Sequence, residues 1–147
     1  MNVKIDELMV TGVMTASPSQ TVGRVRQVMD EHGVSSMPVL DPDGEPVGIV
    51  TARDLLGDIA NDSPVSKVMS QPVYTVPRYG DPSLAARIMR NHRIHHVIVT
   101  EAQSVVGIVS SFDLLRLVED HRYTAKNAPT RSERKGGSRK KAELGSD

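Results

Sequence analysis

Two segments of the chain place a hydroxyl and a carboxylate at the same spacing behind a glycine: Gly48-x-x-Thr51-x-x-Asp54 and Gly107-x-x-Ser110-x-x-Asp113. Each follows a β-branched run and precedes a leucine pair, so each is read at a strand-to-helix junction. A hydroxyl three residues ahead of an acid is first of all a helix capping box, in which each side chain accepts from the other residue's backbone N–H. The glycine then serves close packing or an unusual backbone angle. The pattern also fits a binding role. Helix-start N–H groups favour an anion. A carboxylate beside them would repel phosphate, yet it accepts hydrogen bonds from a vicinal diol, as an acid does for ribose in dinucleotide-binding folds. The chemistry these residues can do together is nucleoside recognition: sugar on the aspartate, base between strands, phosphate toward amides and nearby cations.

The elements that must position these residues occur twice. Gly48-Ile49-Val50-Thr51-Ala52-Arg53-Asp54-Leu55-Leu56 recurs as Gly107-Ile108-Val109-Ser110-Ser111-Phe112-Asp113-Leu114-Leu115, at a spacing of 59 residues. Met29-Asp30-Glu31-His32-Gly33-Val34 matches Met89-Arg90-Asn91-His92-Arg93-Ile94 at a spacing of 60. Ordered matches of this length mark a duplication. Upstream, Val13-Met14 aligns with Val68-Met69 at a spacing of 55. That alignment gives repeat two extra residues around Pro72-Val73-Tyr74-Thr75-Val76, a segment of strand composition, and leaves repeat one without a comparable strand.

Both repeats read in the same order. Val22, Val25, Val28 and Met29 form the apolar stripe of a helix, as do Leu84, Ala85, Ile88 and Met89. Asp81-Pro82 is a capping side chain followed by proline at the first helical position. A hairpin follows in each: Met37–Leu40 and Pro46–Val50 flank Asp41-Pro42-Asp43-Gly44, which suits a type I turn, and Val97–Thr100 and Val105–Val109 flank Glu101-Ala102-Gln103-Ser104. A second helix is expected after Thr51 and again after Ser110. Neither half is long enough to bury a self-sufficient core, so the two sheets are expected to pack on each other.

Composition restricts the function classes. The chain has 147 residues, no cysteine and no tryptophan, and is 38% hydrophobic. Disulfides, thiolate metal sites and cysteine nucleophiles are excluded. No apolar run approaches the roughly 18 residues that span a bilayer, and Met1-Asn2-Val3-Lys4-Ile5-Asp6 has no apolar stretch of signal-peptide type; a cytoplasmic protein without membrane contact is expected. The net charge of zero divides into −5 over residues 1–120 and +5 over residues 121–147. The basic end is rich in Gly, Ser and Pro and lacks apolar periodicity, and residues 123–147 are expected to be disordered.

The order Val-Met-Ser/Thr, helix, Ile/Val-x-x-x-Pro-Val, hairpin and Gly-Ile-Val-Thr-x-x-Asp-Leu-Leu resembles the CBS domain, named after cystathionine β-synthase. The resemblance covers roughly residues 8–120. It implies an α/β (α+β) fold of tandem β-α-β-β-α repeats, residues 8–60 and 61–122, packed sheet to sheet about a pseudo-twofold axis and frequently dimerised. It implies a regulatory module that binds AMP, ADP, ATP or S-adenosylmethionine and acts on a partner protein, with no catalytic cofactor. Carried onto this chain, the ribose-contacting positions are Thr51, Asp54, Ser110 and Asp113. Val73 and Thr75 stand at base-contacting positions, and Ile98 stands where repeat one has the family proline, Pro38. Arg53, Arg93 and His95 are candidates for phosphate. With repeat one short of its strand, the Asp113 cleft is the one expected to be filled.

Other function classes find less support. No nucleophile elbow, P-loop or metal-hydrolase motif is present, and no enzyme is expected. His92-x-x-His95-His96 crosses from helix to strand without a cysteine, and no metal site is assigned. The basic tail could attract nucleic acid or an acidic partner through salt-sensitive contacts; with Tyr123 its one aromatic, stacking would add little. A ligand-free structural module is the remaining alternative.

Overall fold

The computed structural model describes residues 2–119; the tail assigned to residues 123–147 lies outside them. The fold is mixed α+β. Helix α1 (Val22–His32) leads into the hairpin β1 (Ser36–Leu40) and β2 (Pro46–Thr51). A short strand β3 (Thr75–Pro77), helix α2 (Pro82–His92) and the hairpin β4 (His96–Glu101) and β5 (Ser104–Ser110) follow, with α3 (Ser111–Glu119) last. Among the described residues no helix is long and apolar enough to cross a membrane.

Local chemistry accounts for the boundaries. Thr21 caps α1 by accepting from the Arg24 N–H at 3.2 Å, and Asp81 caps α2 by accepting from Ser83 N–H at 2.8 Å, with Pro82 at the first helical position. Gly33 ends α1 at φ 63°. Arg93 ends α2 in the same left-handed conformation, φ 55°, at a position where glycine is favoured because it lacks a Cβ. Gly44 N–H donates to Asp41 O at 2.9 Å, closing the first hairpin. The second hairpin turns through Ala102 and Gln103, both at positive φ, the twist-matched turn that two-residue hairpins need.

Two expectations are corrected. The helix expected after Thr51 is a single 3₁₀ turn, Ala52–Leu55. Gly57 at φ 93° breaks the chain there. The Arg26 guanidinium takes the free Leu55 carbonyl at 2.8 Å and the Ile59 carbonyl at 3.3 Å, which fixes the non-helical exit to α1. The second correction concerns the repeat register. The opening 3₁₀ turns, Ile5–Glu7 and Val65–Lys67, stand in the same relation as α1 to α2 and β1 to β4. The counterpart of Met69 is therefore Met9 and not Met14, and repeat two has no inserted residues there. Repeat one retains the missing strand as one parallel bridge, Ala16 to Val39, matching the Val76–Val99 pair of β3 and β4.

Each repeat is completed by the other's opening segment. Val10 bridges antiparallel to Ile108 on β5, and Ser70 bridges antiparallel to Ile49 on β2. Ile5 N–H donates to Gly80 O at 3.0 Å, and Val65 N–H donates to Gln20 O at 2.7 Å. Val65 is fully buried in the repeat-one core with Val22, Val25, Met37, Val39 and Val50. The glycines of the repeated motif belong to this exchange. A Cβ on Gly48 would meet the Met69 side chain, and one on Gly107 would stand 2.6 Å from Met9 Sδ and 2.9 Å from Val10 O. Neither glycine has positive φ; close packing, and not backbone freedom, requires them.

Gly107→Ala should therefore cost about 1–3 kcal/mol, the usual range for overpacking a filled interior. Urea unfolding should show a lower midpoint at unchanged slope. A change below about 0.5 kcal/mol, the ordinary surface range, would mean that Met9 and the Val10 backbone move aside freely.

Candidate functional site

The repeated motif forms a capping box at both junctions. Thr51 N–H donates to Asp54 Oδ2 at 2.9 Å, and Asp54 N–H donates to Thr51 Oγ1 at 3.3 Å. Ser110 N–H donates to Asp113 Oδ2 at 2.9 Å, and Asp113 N–H donates to Ser110 Oγ at 3.0 Å. Because the first box caps only a four-residue 3₁₀ turn, no helix dipole stands behind it. Attraction for an anion at Asp54 must come from side chains.

Those side chains are present. A cleft of about 590 Å³ opens between the repeats, with Ser35, Ile49, Thr51, Arg53 and Asp54 on one wall. Repeat two supplies the other wall: Ser70, Pro72, Tyr74, Arg93, His95 and Ile98, with His92 and His96. Of the sequence-predicted residues, Thr51, Asp54, Arg53, Arg93, His95 and Ile98 come together here. Ser110 and Asp113 lie at the related β5–α3 junction and are not among the lining residues. Val73 and Thr75 flank the cleft without lining it; Tyr74 between them does. Ile98 was grouped with Asp113 on the sequence and lies instead across from Asp54. The aspartate of one repeat faces the strand wall of the other, so a strand carried by repeat two completes the Asp54 cleft.

Several lining residues escaped the sequence reading. Ser70 Oγ donates to the Asp54 carboxylate at 3.1 Å from Oδ1 and 3.2 Å from Oδ2. The Tyr74 ring stacks on His92 with centroids 4.1 Å apart, and its hydroxyl lies 3.2 Å from His92 Nδ1. His95 Nδ1 lies 3.3 Å from Ser111 Oγ. The signal for Ser70 was its place directly after Met69, hidden by aligning Met69 with Met14.

The electrostatics of the wall centre on His96. Burial holds its imidazole below the ordinary histidine range, the neighbouring His95 adds to that, and Asp113 opposes it. A histidine kept neutral by folding binds fewer protons than in the unfolded chain, so its contribution to stability falls as pH drops below about 6.5 and levels off under its folded pKa. Proton NMR titration should find His96 titrating below the ordinary histidine range. Asp113→Asn should lower the His96 midpoint further; an unchanged or higher midpoint would remove the contact between these two groups.

Comparison with known proteins identifies the family. The CBS domain family matches residues 5–61 and 65–120. An uncharacterized 17.7 kDa protein of Acidianus ambivalens is 33% identical over 124 residues, covering 82% of this chain and 76% of its own. The uncharacterized protein MJ1404 of Methanocaldococcus jannaschii is 27% identical over 135 residues, covering 80% of this chain; the chain spans only 32% of that relative's length. Among solved structures, the CBS domain pair of protein MJ0100, crystallised with 5′-methylthioadenosine and S-adenosyl-L-methionine, superposes with a TM-score of 0.74 at 24% identity over 81% of this chain and 98% of its own, a likeness of fold. With two matched repeats that exchange their opening segments around an inter-repeat cleft, the chain belongs to the CBS domain family.

Proposed function

We propose that this chain is a regulatory module that binds an adenosine-containing ligand in the Asp54 cleft and passes the bound state to a partner protein in the cytoplasm. The observation that carries this reading is the convergence, in one cleft, of a carboxylate with a hydroxyl (Asp54, Thr51), an apolar and aromatic wall (Ile98, Tyr74) and cations (Arg53, Arg93). Asp54 Oδ2 serves the capping box, while among the described residues Oδ1 has Ser70 Oγ as its one partner. An ionised carboxylate has about four acceptor sites, so Asp54 can hold its turn and still receive a ribose diol. The adenosine compounds in the MJ0100 complex support the ligand class. Catalysis has less support: Asp54 is the one carboxylate among the described lining residues, and its oxygens are held by the capping box and by Ser70.

Thr51, Asp54 and the phosphate-side residues Arg53, Arg93 and His95 form the primary site in this reading. Val73 and Thr75 flank this site on its strand wall, and Ser110 and Asp113 belong to a second, related position. A thermal-shift series with AMP, ADP, ATP and S-adenosylmethionine tests it. Ligand at about 100 times its dissociation constant adds roughly 2.7 kcal/mol, which for a body of this size raises Tm on the order of 10 °C. The shift should be lost in Asp54→Ala and kept in Asp113→Ala. The reverse pattern would move the site to Asp113. No shift with any compound would leave the structural module or the tail-mediated binder as the function.

The module is further proposed to be a homodimer. Leu56 and Leu115 occupy equivalent positions in the two repeats and are 72% and 57% exposed, and Phe112, on the same helix as Leu115, is 79% exposed. An apolar pair related by the internal twofold suits an isologous contact with a second copy, where each leucine meets the same surroundings. Light scattering should give twice the chain mass for the wild type and the monomer mass for Leu56→Glu with Leu115→Glu. A wild-type monomer would refute the dimer.

A further inference from the structure

The two repeats carry equivalent aspartates, yet their surroundings differ in charge. The wall facing Asp54 presents His92, Arg93, His95 and His96, and Arg53 stands on the aspartate's own side. The corresponding positions of the other repeat are His32, Gly33, Ser35 and Ser36, with Phe112 in place of Arg53. The duplication has thus concentrated imidazoles and guanidiniums in one cleft. Arg93 is there at a left-handed φ of 55° where its counterpart is Gly33 at 63°; a side chain in that conformation costs on the order of 1–2 kcal/mol. Asp54 is the single carboxylate among the residues lining the cleft, and Thr51 and Ser70 already donate to it.

Among the described lining residues, two guanidiniums stand against one carboxylate. Arg53 and Arg93 are permanently charged, and only Asp54 opposes them in the cleft. Burial and the neighbouring His95 disfavour charge on His96, and an anion in the cleft would favour it. The charged or titratable groups that act on His96 are His95, next to it in the chain, and Asp113 from α3; His92, Arg93, Arg53, Asp54 and Tyr74 line the same cleft. Asp113 favours protonation of His96, and it is engaged in a capping box, as is Asp54.

We infer that the Asp54 cleft takes up protons when it binds a phosphorylated nucleoside, with His95 and His96 as the accepting groups, so that affinity rises as pH falls through neutrality. The inference rests on the ligand reading above and adds its charge class and regulation: a phosphate ester is taken in preference to an uncharged nucleoside, and more tightly in a more acidic medium. The sign follows from linkage. A bound anion raises the imidazole pKa values. Between the free and the bound values the complex holds more protons than the free protein, and each such proton strengthens binding by up to about tenfold per pH unit lowered.

The test is isothermal titration of the full chain with AMP and with adenosine, slightly above pH 7, in buffers of different ionisation enthalpy. There the phosphate, with a second pKa of about 6, is almost fully ionised and contributes little. AMP should bind with net proton uptake and adenosine with none, and the uptake should fall in His95→Gln and vanish in the double variant with His96→Gln. The wild-type comparison of AMP with adenosine needs no variant to fold. AMP binding without proton uptake, or equal uptake in the double variant, overturns the proton linkage and leaves the ligand reading standing. If neither AMP nor adenosine binds at any pH, the adenosine reading itself falls and the linkage with it.

Discussion

Val10 N–H donates to Ile108 O at 2.8 Å and Ile108 N–H returns the bond at 3.1 Å, while Ser70 and Ile49 exchange the same pair at 2.8 and 3.2 Å. These four bonds add an edge partner to each hairpin, and the partner always comes from the other repeat. A single such bond contributes only about 1 kcal/mol net, but an edge left without it exposes unpaired backbone groups. The constraint spreads from there. Met9 and Met69 follow the bridging segments into contact with Gly107 and Gly48, so the motif glycines are fixed by the partner repeat's methionine. Ile5 and Val65 are carried into full burial. Ser70, which makes one of the bridges, also donates its hydroxyl to Asp54. Backbone exchange, core packing and the orientation of the site carboxylate are one connected arrangement.

Much of this was legible in the sequence, and the part that was not has a physical explanation. The apolar stripe of α1, the Asp81-Pro82 start and both hairpins are local patterns, and they appear where periodicity and turn chemistry put them; in α2 Ala85 and Met89 are buried as expected, whereas Leu84 is exposed and Ile88 half-buried. The capping boxes at Thr51/Asp54 and Ser110/Asp113 are also local. What failed depends on residues distant in the chain. The exit after Leu55 looked helical because Leu55 and Leu56 continue an apolar pattern; the reason it is not lies in Arg26, which reaches the Leu55 carbonyl from α1. The register error arose because Met14 and Met9 are both followed within a few residues by plausible strand starts. The equivalent 3₁₀ turns and the contact of Met9 with Gly107, like that of Met69 with Gly48, distinguish them. The grouping of Ile98 with Asp113 assumed that a repeat builds its own cleft, whereas the exchange of edges makes every cleft a product of both repeats.

Duplication followed by divergence explains why the equivalent positions are not equally equipped. The elements that make the fold are retained in both halves: helix, hairpin, bulge after Val39 and Val99, capping box. The differences fall on residues that contribute little to the core. Arg53 against Phe112, Arg93 against Gly33 and His95 against Ser35 are exposed in both members of each pair. Tyr74 against Met14 and Ser70 against Val10 alter the walls of the cleft without altering the sheets. Stability therefore sets few limits on these positions, and the concentration of cations around Asp54 has no structural purpose in the packing described. At Arg93 it runs against backbone preference, since glycine would hold the same turn with less strain.

The capping and receptor readings of the motif began as rivals and are compatible in three dimensions. A cap needs one carboxylate oxygen, directed at the backbone N–H three residues earlier, and Asp54 commits Oδ2 to it. Ribose recognition needs acceptor capacity on the outer side, and there the partner of Oδ1 is a serine hydroxyl, which can rotate and accept as well as donate. The same geometry explains why the shorter side chain is suited to the position. Asp reaches its own turn with the carboxylate still near the strand end and the opposite wall, whereas one more methylene would carry the outer oxygen away from Ser70. In the proposed reading the residue that fixes the turn would also meet the sugar, so occupancy of the cleft would act on the Ala52–Leu55 turn through a single carboxylate, and the turn is itself tied by Arg26 to helix α1.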